Sequence, residues 1–113
     1  MTNLLRETRD VLAGYGYTAN DIKFIGSTDS GHSCIWKEFE SLANFEYNSG
    51  YGAQEVASDL KIILQDGSYL IRWEYDGSEG WELIKEPSIP TELKKIKSLG
   101  GGDAAWKTLS ELN

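Results

Sequence analysis

The sequence predicts an α+β domain: an antiparallel β-meander of about four strands with N-terminal and C-terminal helices packed on it. Three observations carry this. Apolar residues recur at helical spacing near the start, residues 57–85 alternate in strand fashion around two Asp-Gly pairs, and a helical stripe returns after Pro90. The 113 residues make one domain, 1–113, in which 103–113 is a C-terminal helix after a Gly-rich linker. At 40% apolar residues, the chain has enough surface to bury to offset its conformational entropy.

Thr2 serves as an N-cap for a first helix whose stripe is Leu4, Leu5, Val11 and Leu12, ended by Gly14 and Gly16. Asp21 to Gly26 alternates as a short strand, and Ser27 to Gly31 forms a turn. Ile35, Trp36, Phe39 and Leu42 or Ala43 then share one face of a second short helix. Phe45 and Tyr47 alternate with polar neighbours in a brief strand that enters the loop Asn48-Ser49-Gly50-Tyr51-Gly52.

Within the meander, Asp66-Gly67 is expected to form a two-residue type I′ turn, because both residues tolerate positive φ. That register sets Leu64 opposite Tyr69, Ile62 opposite Ile71 and Leu60 opposite Trp73 on the core face. Its outer face would pair Asp59 with Glu74, Lys61 with Arg72 and Ile63 with Leu70. A three-residue loop, Asp76-Gly77-Ser78, is expected for the second hairpin, with Trp81 beside Trp73 and Glu82 beside Arg72. Pro87 and Pro90 end the sheet. Pro90 opens a helix carrying Leu93, Ile96 and Leu99, three glycines stop it, and Asp103 caps a last helix with Ala105, Trp106, Leu109 and Leu112.

Charge is local. Residues 38–82 hold ten carboxylates against Lys61 and Arg72, so the net charge of −7 arises in the middle of the chain, which also carries eight of the thirteen aromatic residues. Such a chain is repelled by phosphate backbones, which argues against direct nucleic-acid binding. No leader and no apolar run of membrane-spanning length is visible, and a single cysteine fits a reducing compartment; a soluble cytoplasmic protein, with no membrane partner, is the expectation.

The chemical motifs are weak. His32 and Cys34 are too few for a zinc site and too close for a facing dyad. Asp76-Gly77-Ser78-Glu79 resembles a fragment of a calcium loop but lacks the further oxygen ligands, and a hairpin turn explains it fully. Asp59 with Glu74, or Glu74 with Glu82, has the composition of a glycosidase pair, but the expected neighbours Lys61 and Arg72 would hold both acids ionised. No catalytic residue, metal or cofactor is therefore expected. The stronger candidate is a partner-binding surface of Glu46, Tyr47, Tyr51, Glu55, Asp76 and Glu79, where tyrosines beside carboxylates suit Arg and Lys of a basic protein. A solvated acidic face that serves only solubility is the plain alternative.

The segments Phe45 to Val56 and Trp73 to Glu82 resemble small uncharacterised proteins of bacteriophages and other mobile elements, which share a Tyr-x-Ser-Gly-Tyr-Gly loop and a Glu-Tyr-Asp-Gly-Ser-Glu turn. Gly80 stands where a second bulky aromatic is expected. The resemblance implies no activity or cofactor. It implies a context that includes inhibitors of host defence, CRISPR nucleases among their targets, some of which imitate the charge of DNA. The expected function is a non-enzymatic acidic inhibitor that docks on a basic, nucleic-acid-binding protein. The alternatives are an immunity protein or antitoxin against a basic toxin, a dimer through Ile63, Leu70 and Ile84, and a small-molecule pocket lined by Trp81, Tyr75 and Trp36.

Overall fold

The computed structural model describes residues 1–102 and 104–113. Strand β1 (Thr2–Asn3) leads directly into helix α1 (Leu4–Gly14). Its N-cap is Asn3 rather than Thr2: Asn3 Oδ1 accepts the Arg6 backbone N–H at 3.0 Å, while Thr2 pairs with Tyr47 in a small sheet. Then follow β2 (Ile22–Gly26), β3 (Ser33–Cys34), α2 (Trp36–Leu42) and β4 (Glu46–Tyr47), which pairs with β1. The meander is β5 (Lys61–Leu64), β6 (Tyr69–Tyr75) and β7 (Ser78–Ile84). All neighbours in the five-stranded sheet, ordered β3-β2-β5-β6-β7, are antiparallel, so the α+β architecture is as read from the sequence.

The two hairpins exchange their expected loops. After β5 the loop has three residues. The Gly67 N–H donates to the Leu64 carbonyl, Leu64 N–H donates to the Ser68 carbonyl, and Gly67 takes φ +90°. This is a type I turn followed by a glycine bulge. Asp66 reinforces it by accepting the Ser68 N–H at 2.8 Å and the Tyr17 hydroxyl at 2.6 Å. The turn between β6 and β7 has two residues, Asp76 at φ +49° and Gly77 at φ +87°, the type I′ geometry.

Each change moves the register by one residue. Ile62 lies opposite Leu70, Arg72 opposite Trp81 and Trp73 opposite Gly80. Because side chains alternate faces, β6 is turned over relative to the expectation. Leu70 and Arg72 are buried, whereas Trp73 and Tyr75 are exposed. Gly80 is needed under this register: a Cβ there would sit 3.0–3.2 Å from the Trp73 indole, which covers the position an aromatic side chain would otherwise occupy.

One core joins Leu4, Leu5 and Leu12 of α1, Phe39 and Ala43 at α2, and Ile25, Ile62, Leu64, Leu70 and Trp81 of the sheet. Trp81 Nε1 donates to Thr8 Oγ1 at 2.9 Å, which pins α1 over β7. The opposite face of the sheet, with Ile63, Tyr69, Ile71 and Trp73, is only partly covered. Leu70 is not among those residues, so the expected outer stripe of Ile63, Leu70 and Ile84 does not form.

Beyond Ile84 the expected helix over 90–99 is absent, and the last helix, α3, spans only Leu109–Leu112, capped by Thr108. The Asp103 cap lies outside the described residues. A helix of this length is marginal without an apolar face to bury, and Leu93, Ile96 and Leu99 are all exposed. The segment projects from the domain: the radius of gyration is 18.6 Å, against about 13 Å for a compact chain of this length.

Candidate functional site

Arg72 occupies the centre of the sheet's buried face, and its guanidinium organises everything around it. Nη2 donates to Glu79 Oε1 at 3.1 Å and to the Tyr47 hydroxyl at 3.0 Å, and Nη1 reaches Glu7 Oε1 at 3.4 Å. The cation also lies 4.8 Å from the Trp81 ring centroid and 5.6 Å from that of Tyr47. Burial alone would lower the Arg72 pKa, but the bonds to Tyr47 and Glu79 and the nearby Glu7 carboxylate outweigh it and the pKa is raised. Tyr47 donates to Glu7 at 2.6 Å. Desolvation, with that bond to a carboxylate, pushes its phenol up to about 12.

A buried charge persists only when paired and hydrogen-bonded. Here the compensation comes from α1 (Glu7), β4 (Tyr47) and β7 (Glu79). Arg72 Nε alone has no partner among the described residues. The charged quartet expected on the outer face is therefore not formed. Lys61 instead reaches Thr28 and lies 5.5 Å from the Tyr69 ring centroid.

Glu79 carries the network to the surface. Its carboxylate accepts the backbone N–H groups of Glu55 at 2.8 Å and Val56 at 3.3 Å, while its own N–H donates to the Ser49 carbonyl at 2.8 Å. Both ends of the 48–56 loop are thus fastened to the start of β7. Within the loop, Glu55 accepts the Asn48 N–H at 2.8 Å and Asn48 accepts the Gly50 N–H at 3.1 Å. Ser49 Oγ also lies 2.7 Å from Thr2 Oγ1. At the crest, the loop meets the β6–β7 turn so closely that a Cβ on Gly77 would lie 3.1 Å from the Gly52 nitrogen.

Loop and turn, separate in sequence, thus form one surface. It displays Tyr51 at 80% and Tyr75 at 79% exposure, with Asp76, Glu74 and Glu55 also exposed; Glu46, on β4 opposite Asn3, is exposed as well. Of the six residues expected to meet a partner, Glu46, Tyr51, Glu55 and Asp76 are accessible. Tyr47 and Glu79 are not, with 1% and 3% exposure. They are corrected from contact residues to supports: β4 pairing turns Tyr47 inward, and Glu79 shares the face of Trp81. Tyr75 is the exposed aromatic that the sequence reading left at the margin; its exposure follows from the one-residue register change in β6.

The other candidates separate in space. Glu74 and Glu82 point to opposite faces of the sheet, since Glu74 aligns with Glu79 and Glu82 with Ile71. His32 Nδ1 lies 2.8 Å from Ser30 Oγ, so Ser30 rather than Cys34 is its hydrogen-bond partner. Burial and the Glu38 carboxylate push the Cys34 thiol pKa up, away from a reactive thiolate. Trp81, Tyr75 and Trp36 line no common cavity: Trp81 is buried under α1, Tyr75 projects into solvent, and Trp36 stacks on Phe39 at 5.3 Å. Among the described residues no helix is long and apolar enough to cross a membrane. Compared with models of protein families, with curated proteins and with solved structures, the chain matches none.

Proposed function

We propose that this chain is an acidic, non-enzymatic binding protein, carried by a phage or mobile element, that inhibits a host defence protein such as a CRISPR effector. It does so by seating the 46–55 loop and the 74–77 turn on a basic, nucleic-acid-binding surface. The observation that supports this reading is the meeting of the loop and turn at Gly52 and Gly77, which gathers exposed tyrosines and carboxylates onto one tip. Tyr51 and Tyr75 supply rigid amphipathic contact area, and the carboxylates around them supply pairing groups for Arg and Lys. The Arg72–Glu79 pair beneath holds the loop in place before binding, which lowers the entropy cost of docking.

The test is direct binding to a purified CRISPR effector nuclease, and to other basic nucleic-acid-binding proteins, by the wild-type chain and by Asp76→Lys and Tyr51→Ala. The reading expects each variant to weaken binding about tenfold or more while the fold is retained. Equal binding by wild type and both variants contradicts it.

A further inference from the structure

A second surface begins at the foot of the tip loop, where α2 and the chain from Glu55 to Leu60 leave an apolar groove. Two adjoining cavities, of about 460 Å³ and about 220 Å³, share Cys34, Leu42, Ala57 and Leu60 along its floor and walls. Its lip is unusually exposed for such residues: Leu42 is 67% and Phe45 42% accessible. Glu55 and Asp59 supply the charge on its lining, and no lysine or arginine lines it among the described residues. An apolar trough with acidic margins takes an amphipathic, basic helix.

The same chain carries such a segment. Leu93-Lys94-Lys95-Ile96-Lys97-Ser98-Leu99 places Leu93, Ile96 and Leu99 at i, i+3 and i+6, with three lysines between them, and Gly100 stands ready to end a helix. In the monomer its apolar side chains stay half or more exposed, Leu93 at 74%, Ile96 at 51% and Leu99 at 78%, and among the described residues only Asn113 is hydrogen-bonded to it, at the backbone of Lys97 and Ser98. The segment is not helical in the structure, as expected for a short stretch that gains its helix only when its stripe is buried.

Its own groove is poorly placed for it. The segment leaves the sheet at Ile84, on the β7 edge, whereas the groove lies at Ile25 and Cys34, at the β2–β3 edge. Crossing four strand spacings takes about 19 Å, and α1, a cylinder about 10 Å across, is pinned over β7 in between. The nine steps from Ile84 to Leu93 reach about 30 Å when fully extended, which leaves about 11 Å after the crossing, whereas going up over the helix and down again takes about 20 Å. Pro87 and Pro90 also hold it extended rather than turning it back.

We infer that the groove between α2 and residues 55–60 receives the Leu93–Leu99 segment of a second copy of this chain, in a reciprocal exchange that closes a two-fold dimer. Charge complementarity sets the occupant, and the exchange leaves no open contact to propagate. The inference does not rest on the proposed role of the acidic tip.

Sedimentation equilibrium of the full chain over a wide concentration range tests it, alongside Ile96→Asp and Leu42→Asp. Both positions are exposed in the monomer, so thermal melting of dilute protein should leave each variant folded. The expected result is a monomer–dimer equilibrium in which either substitution raises the dissociation constant about tenfold or more. A mixture of the two variants should recover a heterodimer, since one supplies an intact groove and the other an intact segment. A wild-type chain that stays monomeric, a dimer indifferent to both substitutions, or a mixture that associates no better than either variant overturns the inference.

Discussion

Glu79→Ala removes the carboxylate that connects the buried guanidinium to the loop, and its cost can be worked from the geometry. The side chains of Arg72 and Glu79 are 0% and 1% exposed, so deleting Glu79 leaves the cation with Glu7 at 3.4 Å as its remaining carboxylate. Breaking a buried pair costs about 3–5 kcal/mol. Here the surviving Glu7 contact moves the charge part towards the lower end. The N–H groups of Glu55 and Val56 also lose their acceptor, at about 1 kcal/mol each if water reaches them. The sum is about 5 kcal/mol, against a whole-domain stability of about 5–15 kcal/mol. Urea denaturation followed by tryptophan fluorescence reads it, because Trp81 lies against the guanidinium. A thermal melt should show the midpoint lower by roughly 20 °C. Glu79→Gln, which keeps one acceptor but no charge, should fall between. A loss below about 1 kcal/mol for Glu79→Ala would refute the argument that this pair supports the fold and the loop.

Three further perturbations follow from the same geometry. Tyr47 has its folded pKa raised to about 12 from 10.0; the folded state therefore holds its proton more tightly, and this contribution is present below pH 10 and lost as pH rises to 12. The loss is about 1.4 kcal/mol per pH unit, up to roughly 3 kcal/mol in all, and denaturant titrations should show it in wild type and not in Tyr47→Phe. Gly77→Ala places a side chain at φ +87° and 3.1 Å from Gly52 N; it should cost about 1–3 kcal/mol and shift the amide NMR signals of Tyr51 and Gly52. Gly26→Ala would put its Cβ 2.0 Å from the His32 carbonyl oxygen at φ +150°; it should cost more than about 3 kcal/mol in chemical denaturation, because the obstacle is backbone and the β2–β3 pairing must open.

Most elements were legible because each has its own local signal: the stripe of α1, the alternation of β2 and β5, the positive-φ residues at both hairpins. The error in the meander is instructive because it is confined to one strand. The two Asp-Gly pairs look alike, and the loop lengths assigned to them were interchanged. The two one-residue shifts cancel between β5 and β7, so Ile62, Leu64, Trp81 and Leu83 keep the face expected of them. Only β6 turns over. Hydrophobicity favours that mistake, since Tyr69, Ile71, Trp73 and Tyr75 outweigh Leu70, Arg72 and Glu74 as core formers. What overrides it is the pairing of Arg72 with three elements at once, which no local pattern encodes. One signal was available: Glu79 has the parity of Trp81 and Leu83 in β7, which marks it as inward-facing and in need of a buried cation. The same parity would have moved Glu79 out of the contact surface. The 90–99 stripe is a fair helix pattern whose missing ingredient is a surface to bury against.

The most direct measurement of the functional account is the affinity of the wild-type chain for a basic nucleic-acid-binding partner as a function of ionic strength. The screening length shortens from roughly 10 Å at 0.1 M to about 3 Å at 1 M salt. Docking through Glu46, Glu55, Glu74 and Asp76 therefore predicts an affinity that falls steadily as salt is added, with a shallower dependence for Asp76→Lys. An affinity that is flat across that range, or a salt dependence unchanged by Asp76→Lys, would contradict the assignment of the acidic tip as the binding surface.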